Sequence, residues 1–226
     1  MTAVRAAAGL TAPVEDYLKI IFELETAGGL AGTNEIAAAL GIAPPSASGM
    51  VRRLAEQGLI DHERYRGARL TPEGRRIALR TIRRHRLIES YLTTALGYAW
   101  DCVHDEAERL EHAASDELVE RMAAAIGEPT TDPHGAPIPT RDGRLDDQPL
   151  MPLDSVAAGA HVCVQRVADR DAGQLRRLAK LGITPGQHVE VLASPSRGHD
   201  VHLRVGRARR SITATLASQV LVSTIG

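Results

Sequence analysis

Cysteine is scarce in this sequence, since the 226 residues include only two, Cys102 and Cys163. They lie far apart along the chain and form no CxxC pair, so they provide neither a disulfide framework nor a paired thiol site. A chain without such a framework is typical of a reducing compartment. We therefore expect a cytoplasmic protein.

Long hydrophobic runs are also missing. Nowhere do about 18 apolar residues follow one another, which is the length that a membrane-spanning helix needs. The first stretch, "MTAVRAAAGLTAPVED", has only a short, weakly apolar run that ends in acidic residues. We therefore expect neither a membrane partner nor an export signal.

The strings that support common hydrolytic chemistry do not occur. Zinc hydrolases use HExxH or HxxEH on a helix, and the nearest string here, "ERLEH", has Glu108 where the inverted motif needs histidine. There is also no glycine-rich phosphate loop and no GxSxG turn. We expect that the protein is not an enzyme and takes no small organic substrate.

Charge is unevenly distributed, although the formal net charge is only -1. Residues 52–86 carry 11 Lys and Arg against 4 Asp and Glu, whereas residues 101–150 carry 4 against 13. A basic segment is expected of a nucleic-acid contact, and an acidic one indicates cation binding or simple solvation. The two segments therefore predict different partners.

The N-terminal third predicts a winged helix. Apolar residues in "EDYLKIIFELE" recur at helical spacing, "NEIAAALGI" fits a shorter helix, and "PPSASGMVRRLAEQGLI" begins a third with prolines in its first turn. "LIDHERYRGARLT" then predicts two short strands around a turn at Arg66 and Gly67. A helix-turn-helix followed by such a hairpin predicts a DNA-binding domain over residues 1–74.

The remainder predicts a helical domain and a barrel. Residues 72–97 and 102–125 fit two antiparallel helices suited to dimerisation, and the Pro-, Gly- and Asp-rich "GEPTTDPHGAPIPTRDGRLDDQP" is typical of a linker or wrapped loop. Alternating segments such as "HVCVQRV" and "HVEVLAS" then predict a small β-barrel with one short helix. We expect a mainly α protein with little β structure, with the helical domain at 75–148 and the barrel at 149–226.

Acidic residues and histidines form a stripe on the second of these helices. A purely solvated face would more often pair its glutamates with Lys or Arg four residues away, yet Glu108 has histidines at that spacing on both sides. The pattern favours a metal site, and a surface helix with incidental histidines is the alternative. Together the two helices offer six potential ligands: His85, Glu89, His104, Glu108, Glu111 and His112.

The strings "EDYLKIIFELE", "RRHRLIESYL", "VHDEAERLEHAASDE" and "DPHGAPIP", followed by the β-rich tail, resemble the diphtheria toxin repressor family of metal-dependent transcriptional regulators. Their order and spacing agree over the whole chain, and they are most similar to the manganese transport regulator branch. The resemblance implies a homodimeric DNA-binding repressor whose C-terminal barrel is SH3-like, of the type that accompanies iron transport.

The resemblance implies a primary metal site of Asp16, Glu108, Glu111 and His112. Iron-responsive members carry methionine and cysteine in place of Asp16 and Glu108, and hard carboxylate oxygen suits Mn²⁺ better than it suits thiophilic ions. Affinity alone cannot select Mn²⁺, so selectivity must come from geometry, coordination number and availability. Lys19 stands where some manganese regulators have a further glutamate, and we expect no binuclear site of that kind.

An ancillary metal site is implied as well. Its expected ligands come from the two helices and the barrel: His85, Glu89, His104, Asp171 and Gln174. Related manganese regulators instead draw ligands from a "CPHG" loop, which reads "DPHG" in this sequence. Asp132 and His134 are therefore alternative ligands, or ordinary loop residues.

For DNA, the resemblance places four residues on the recognition helix and one near the tip of the wing: Pro45, Ser46, Ser48, Arg53 and Arg66. Short hydroxyl side chains can contact phosphates, and arginine supplies a salt-dependent attraction. The base-contacting glutamine of the family is replaced by Gly49, which has no side chain for such a contact. We therefore expect more readout of DNA shape.

We expect a homodimeric repressor that uses Mn²⁺ as corepressor on a palindromic operator in double-stranded DNA, with one or two dimers on each operator. Fe²⁺ is the alternative corepressor, and Co²⁺, Ni²⁺, Zn²⁺ and Cd²⁺ are expected surrogates in vitro. A metal-binding or metal-delivery module is the alternative of another class, because small barrels resembling the tail also accompany iron transport.

Overall fold

The structure, a computed structural model, describes residues 10–63, 66–146, 148–193 and 200–225. The expectation about an export signal falls mostly on residues 1–9, outside these ranges. Within the described part, no helix has the length and apolar character needed to cross a bilayer. The chain divides into two compact units, Met1–Arg84 with Pro139–Arg144, and His85–Ile138 with Leu145–Gly226.

Three helices form the core of the first unit: α1 (Ala12–Gly28), α2 (Thr33–Ala39) and α3 (Pro44–Glu56). Prolines occupy the first turn of α1 and α3, where a missing N–H costs no helical hydrogen bond. The apolar stripes of these helices are buried, as Leu18, Ile36 and Leu54 show. This arrangement confirms the predicted helix-turn-helix.

A small antiparallel sheet completes the winged helix. Strand β1 (Ile60–Glu63) pairs with β2 (Gly67–Leu70), and Ala31 exchanges two backbone hydrogen bonds of 2.9 Å with Ala68. Gly74 is required beside this sheet, since a Cβ there would lie 1.9 Å from the carbonyl oxygen of Leu59. The sequence predicted the wing because its two short strands flank a turn.

Helix α4 spans Pro72–Leu96, and the division between the two units falls within it. The single helix expected at 102–125 is instead two helices, α5 (Val103–Leu110) and α6 (Asp116–Ala125). The break has a local cause, because the hydroxyl of Ser115 caps α6 by accepting a hydrogen bond from the Leu118 N–H at 3.2 Å.

The C-terminal part contains an antiparallel six-stranded sheet with the strand order β3-β8-β4-β5-β6-β7. Valines alternate inward along its strands, with Val162, Val164, Val189 and Val191 almost fully buried, which confirms the predicted period of two. The strands are β3 (Met151–Pro152), β4 (His161–Val167), β5 (His188–Ala193), β6 (Val201–Val205), β7 (Ala208–Ile212) and β8 (Val220–Thr224).

Short helical segments surround this sheet: a 3₁₀ turn at Leu153–Ser155, α7 at Ala172–Leu181 and α8 at Ala214–Ala217. Leu175 and Leu178 of α7 are fully buried in the same apolar core as the strands. Helix α7 ends at Gly182, which has φ 75° and provides the left-handed C-terminal cap. The short helix predicted between the first two barrel strands is therefore present.

Candidate metal centre and DNA-binding surface

Helix α4 positions His85 and Glu89 one turn apart, and both side chains are buried. The Nδ1 of His85 lies 2.5 Å from Oε2 of Glu111, which follows directly after α5. A carboxylate can only accept, so Nδ1 donates this hydrogen bond. The Nε2 of a neutral His85 then presents a lone pair toward Glu89.

His104 of α5 joins this group. Its Nδ1 lies 3.1 Å from Nε2 of His85 and 3.3 Å from Oε1 of Glu89, and the Glu89 oxygen lies 3.0 Å from the same His85 nitrogen. Two imidazole nitrogens and a carboxylate oxygen thus converge on one point. Such a group needs a shared proton or a cation between its lone pairs.

The second oxygen of Glu89 belongs to a neighbouring cluster. Glu89, Asp132, His134 and Asp169 offer ligand atoms that all lie within 4.8 Å of one another. Among the described residues, Oε2 of Glu89, Oδ2 of Asp132 and Nδ1 of His134 are buried without a hydrogen-bond partner. Buried polar atoms rarely lack a hydrogen-bond partner. The cluster therefore has suitable ligand atoms, and a bound cation would give them a partner.

Backbone contacts fix the loop that carries this cluster. Oδ1 of Asp132 accepts the N–H groups of His134 at 2.8 Å and Ala136 at 2.9 Å, whereas Oδ2 makes no hydrogen bond to the described residues and lies 3.6 Å from Nε of Arg86 in an ion pair. The Nε2 of His134 lies 2.7 Å from the carbonyl oxygen of Trp100 and therefore donates to it. A carbonyl partner of this kind orients a histidine so that its other nitrogen faces a metal.

Gly135 lets the same loop approach strand β4. It has φ 85°, and a Cβ there would lie 1.9 Å from the carbonyl oxygen of Gln165. Beside it, the N–H of Val167 donates to the carbonyl oxygen of His134 at 3.0 Å. The loop and the strand are thus held in contact, and Asp169 follows β4 by two residues.

Burial and neighbouring charges shift the pKa values of three residues in this cluster. Burial alone would raise the pKa of Glu89, but the neighbouring imidazoles of His104, His134 and His85 outweigh it and hold the pKa well below the usual value. Burial opposes protonation of His134, yet the Glu89 carboxylate, whose Oε2 lies 3.7 Å from Nδ1 of His134, raises the pKa of His134 to about 9. Burial, followed by the charge of Glu89, raises the pKa of Asp132 to about 6. A cation would therefore displace protons here.

Asp171 and Gln174 have a different role in this structure. Asp171 caps α7 by accepting the N–H groups of Gly173 at 2.8 Å and Gln174 at 3.0 Å, and the Gln174 side chain donates to it at 2.9 Å. Hydrogen bonds from Gln174 lower the pKa of Asp171. Asp169 is the aspartate that the structure places among the histidines, with Oδ2 3.9 Å from Nδ1 of His104.

The residues predicted for the primary site lie on two elements. Glu111 is fully buried, His112 Nε2 lies 3.3 Å from its Oε1, and Glu108 is more exposed. Glu108, Glu111 and His85 offer ligand atoms within 4.8 Å of one another. Asp16 is half-buried on α1, in the first unit. Within the second unit, His85 therefore belongs to two groups of donors, one with Glu89 and His104 and the other with Glu108 and Glu111.

The predicted DNA-binding residues of α3 are exposed: Pro45, Ser46, Ser48 and Arg53. Gly49 also faces open space, since no atom lies within 4 Å of a Cβ built on it. Arg66 is exposed immediately before β2 and is paired with Glu63 at 2.6 Å. Helix α3 thus presents a surface of small side chains followed by two exposed cations, Arg52, which pairs with Glu56 at 3.3 Å, and Arg53.

Comparisons with known proteins cover nearly the whole chain. The family model "Iron dependent repressor, N-terminal DNA binding domain" matches residues 9–68, and "Iron dependent repressor, metal binding and dimerisation domain" matches residues 71–140. The FeoA domain model matches residues 151–224. The predicted order of a DNA-binding part, a helical part and an SH3-like barrel is therefore confirmed.

Individual relatives agree with these models. The iron-dependent repressor IdeR of Mycobacterium tuberculosis is 33% identical over 81% of this chain and 85% of its own length. The diphtheria toxin repressor of Corynebacterium diphtheriae is 38% identical over 79% of this chain and 83% of its own length.

Solved structures are similar as well. A manganese-dependent transcriptional repressor in complex with manganese has a TM-score of 0.89 at 38% identity and covers 94% of this chain and 100% of its own. ScaR with bound Zn²⁺ has a TM-score of 0.83 at 31% identity, covering 94% and 99%. The chain therefore belongs to the diphtheria toxin repressor family of metal-dependent, DNA-binding transcriptional repressors, whose members are not enzymes.

Proposed function

We propose that this repressor responds to Mn²⁺, which acts as corepressor of a homodimer on a palindromic operator in double-stranded DNA. The supporting observation is the buried donor set of Glu89, Asp132 and His134, in which three nitrogen and oxygen atoms lack a hydrogen-bond partner among the described residues. No sulfur atom belongs to the ligand groups found in the described part of the chain. Oxygen and imidazole donors suit Mn²⁺, whereas thiolates favour softer ions.

For the primary site, we propose the ligands Asp16, Glu108, Glu111 and His112 on the strength of the sequence resemblance. Three of these four residues supply carboxylate oxygen and one supplies imidazole, which agrees with Mn²⁺. Lys19, a buried cation on α1, stands where a further glutamate would be needed for a binuclear site. We therefore propose one ion at this site.

For the ancillary site, we propose Glu89, Asp132, His134 and Asp169, with His85 and His104 completing the surrounding set. The geometry supports the alternative "DPHG" ligands, because their unpartnered atoms face Glu89. Asp171 and Gln174 would join only if the cap of α7 opened, although Oε1 of Gln174 is buried without a partner. When bound, a divalent cation supplies the positive charge that these donors lack.

The proposed mechanism follows from where the primary ligands lie in the sequence. Asp16 belongs to the DNA-binding domain, whereas Glu108, Glu111 and His112 belong to the helical domain. Ligation by both sets restricts the spacings that the two recognition helices of a dimer can adopt, and so favours the spacing that DNA accepts. By linkage, DNA must tighten metal binding by the same factor.

The proposed dimer and location rest on separate observations. Leu96, Tyr98 and Leu118 are large apolar side chains with 58%, 41% and 46% exposure on or beside α4 and α6. Such surface favours burial against a second copy, as does the match to a dimerisation domain. The free thiols of Cys102 and Cys163 agree with a cytoplasmic location.

Binding anisotropy tests the proposal. An operator recovered by selection from random duplexes is titrated with protein in anaerobic solutions of Mn²⁺, of Fe²⁺ and without metal, at free concentrations found in cells. We expect Mn²⁺ alone to produce tight binding. Tight binding without metal would contradict the corepressor role.

Two other functions have specific support. The relative IdeR of Mycobacterium tuberculosis is named an iron-dependent repressor, so activation by Fe²⁺ and not by Mn²⁺ in the same titration would assign the iron response. The FeoA match at residues 151–224 supports a metal-delivery module. Selective binding to one operator over unrelated duplex DNA would exclude delivery as the main function.

A further inference from the structure

The hairpin of β6 and β7 carries a concentrated positive charge that the metal sites and α3 do not use. Residues 200–213 contain four arginines and one aspartate. The turn between the strands consists of Gly206, with φ 57°, and Arg207. The four cations of this basic hairpin are Arg204, Arg207, Arg209 and Arg210.

Two of these cations oppose each other in the ladder. Arg204 and Arg209 are direct partners in the antiparallel register, and like charges in that position destabilise a hairpin. Glu190 lies 2.5 Å from Arg204 and neutralises it. No ion pair is found for Arg209 or Arg207 within residues 10–63, 66–146, 148–193 and 200–225, so their charge is available to another molecule.

The hairpin also lies at an edge. Among the described strands, β7 pairs with β6 only, and Arg207 and Arg209 are exposed. The Nε of Arg210 is buried without a hydrogen-bond partner in the described structure. A buried donor of this kind costs free energy unless an acceptor reaches the guanidinium. Within the described part of the chain, strand β7 therefore carries both the unpaired charge of Arg209 and the unpaired hydrogen-bond donor of Arg210.

Guanidinium groups bind phosphate with two parallel hydrogen bonds, which suits a row of arginines to a nucleic-acid backbone. DNA is the polyanion that a repressor of this family meets. We propose that the basic hairpin contacts the phosphate backbone of DNA through Arg207 and Arg209, with Arg210 beside them, as a contact additional to that of α3. The inference rests on DNA binding and is independent of which metal activates it.

The salt dependence of DNA binding tests this contact. The dissociation constant of the full-length R207A/R209A variant is measured over a series of salt concentrations with saturating Mn²⁺, for the operator and for an unrelated duplex. We expect the slope of log affinity against log salt to fall by about 2 if the hairpin of one protomer contacts the duplex and by about 4 if both hairpins of the dimer do, since each phosphate contact contributes about 0.9. Both duplexes should lose affinity by the same factor, because phosphate contacts carry no sequence information.

Two further variants serve as controls. R177A/K180A removes two exposed charges from α7 of the same domain and should leave the slope unchanged. R207K/R209K keeps the charge and should retain the wild-type slope. Neither Arg207 nor Arg209 has an ion pair among the described residues, so the melting temperature of R207A/R209A should be no lower than that of the wild type.

An unchanged slope in R207A/R209A would overturn the proposal, and so would an equal loss in R177A/K180A, which would indicate a general effect of net charge. If R207A/R209A keeps the slope but loses binding to polyglutamate, the partner is an acidic protein and the proposed DNA contact is wrong. A wild-type protein that binds no duplex at all would refute the repressor function itself, a result separate from any difference among these variants.

Discussion

The two groups of candidate metal ligands differ in how the chain assembles them. In the primary group, Glu108, Glu111 and His112 fall within five consecutive residues at and directly after the end of α5, and only Asp16 comes from a distant helix, α1. The ancillary group draws Glu89 from α4, Asp132 and His134 from an irregular loop, and Asp169 from the segment after β4. Ligands within one short segment can be recognised from spacing, whereas ligands from separate segments depend on how those segments pack.

The largest effect is expected for Asp16→Ala. It removes the only proposed primary ligand on the DNA-binding domain, so metal-dependent operator affinity should fall by roughly 100-fold or more, since even the hydrogen-bond partners of ligands contribute 10- to 100-fold. Anisotropy at fixed Mn²⁺ measures the loss, and sedimentation should show an intact dimer. Unchanged metal-dependent affinity would exclude Asp16 from the primary site.

A smaller effect is expected for His134→Ala, which removes one ancillary ligand while Asp16, Glu111 and His112 remain. We expect a decrease of about 10-fold in metal affinity at that site, which equilibrium dialysis measures as a shift of its binding isotherm to higher free Mn²⁺. His188→Ala, an exposed histidine of β5, is the matched control and should retain both ions. An isotherm of His134→Ala identical to that of the wild type would disprove its role as a ligand.

One ligand of the primary group can be replaced by a different type of donor. Glu108→Cys replaces an oxygen donor with sulfur, which should move the order of activating ions toward Fe²⁺, Co²⁺ and Ni²⁺ and away from Mn²⁺. DNA-binding titrations with each ion give the order. If the order of the variant equals that of the wild type, residue 108 does not determine metal preference.

Competition between protons and Mn²⁺ should distinguish the ancillary group of ligands from the primary group. The metal-free pKa of His134 is about 9 and that of Asp132 is about 6. Below pH 9 a cation must displace the His134 proton, so affinity should rise roughly tenfold per pH unit between pH 6 and 8, and more steeply below 6. Mn²⁺ competition against a chelator measures this slope, which should be shallower in His134→Ala. A flat profile would contradict direct ligation by His134.

The smallest effects are expected for two neighbouring aspartates, Asp169 and Asp171, whose substitutions should change different properties. Asp169→Ala should weaken metal binding at the ancillary site with little change in stability. Asp171→Ala should leave metal affinity intact but lower the melting temperature, because it removes the cap of α7. Dialysis and thermal melts give the two readouts. The opposite pattern would assign the ligand role to Asp171, as the resemblance first implied.

Several elements could be predicted because their determinants are local. Prolines in the first turn of α3, apolar residues at helical spacing and a short hairpin were sufficient to predict the winged helix. Valine alternation predicted the barrel strands, since successive side chains of a strand face opposite sides. The division of the 102–125 segment was missed because the Ser115 cap has little effect on apolar periodicity.

Asp169 was missed for a different reason. It stands in the string "ADRDAG" beside Asp171, and spacing cannot tell which aspartate faces the histidines. The structure separates them through the N-terminus of α7, where backbone N–H groups occupy the Asp171 carboxylate. Only the position of Asp169 relative to His104 identifies it as a candidate ligand.

By itself, the amino-acid sequence determined the types of donor, the winged helix, the alternating barrel strands and the resemblance to metal-dependent repressors, because each depends on residue chemistry or on spacing within one element. The tertiary structure decided which donors meet. Gly135 allows the "DPHG" loop to approach β4, and that packing brings Asp132 and His134 to the buried Glu89. Long-range packing of this kind leaves no periodic pattern in a single sequence.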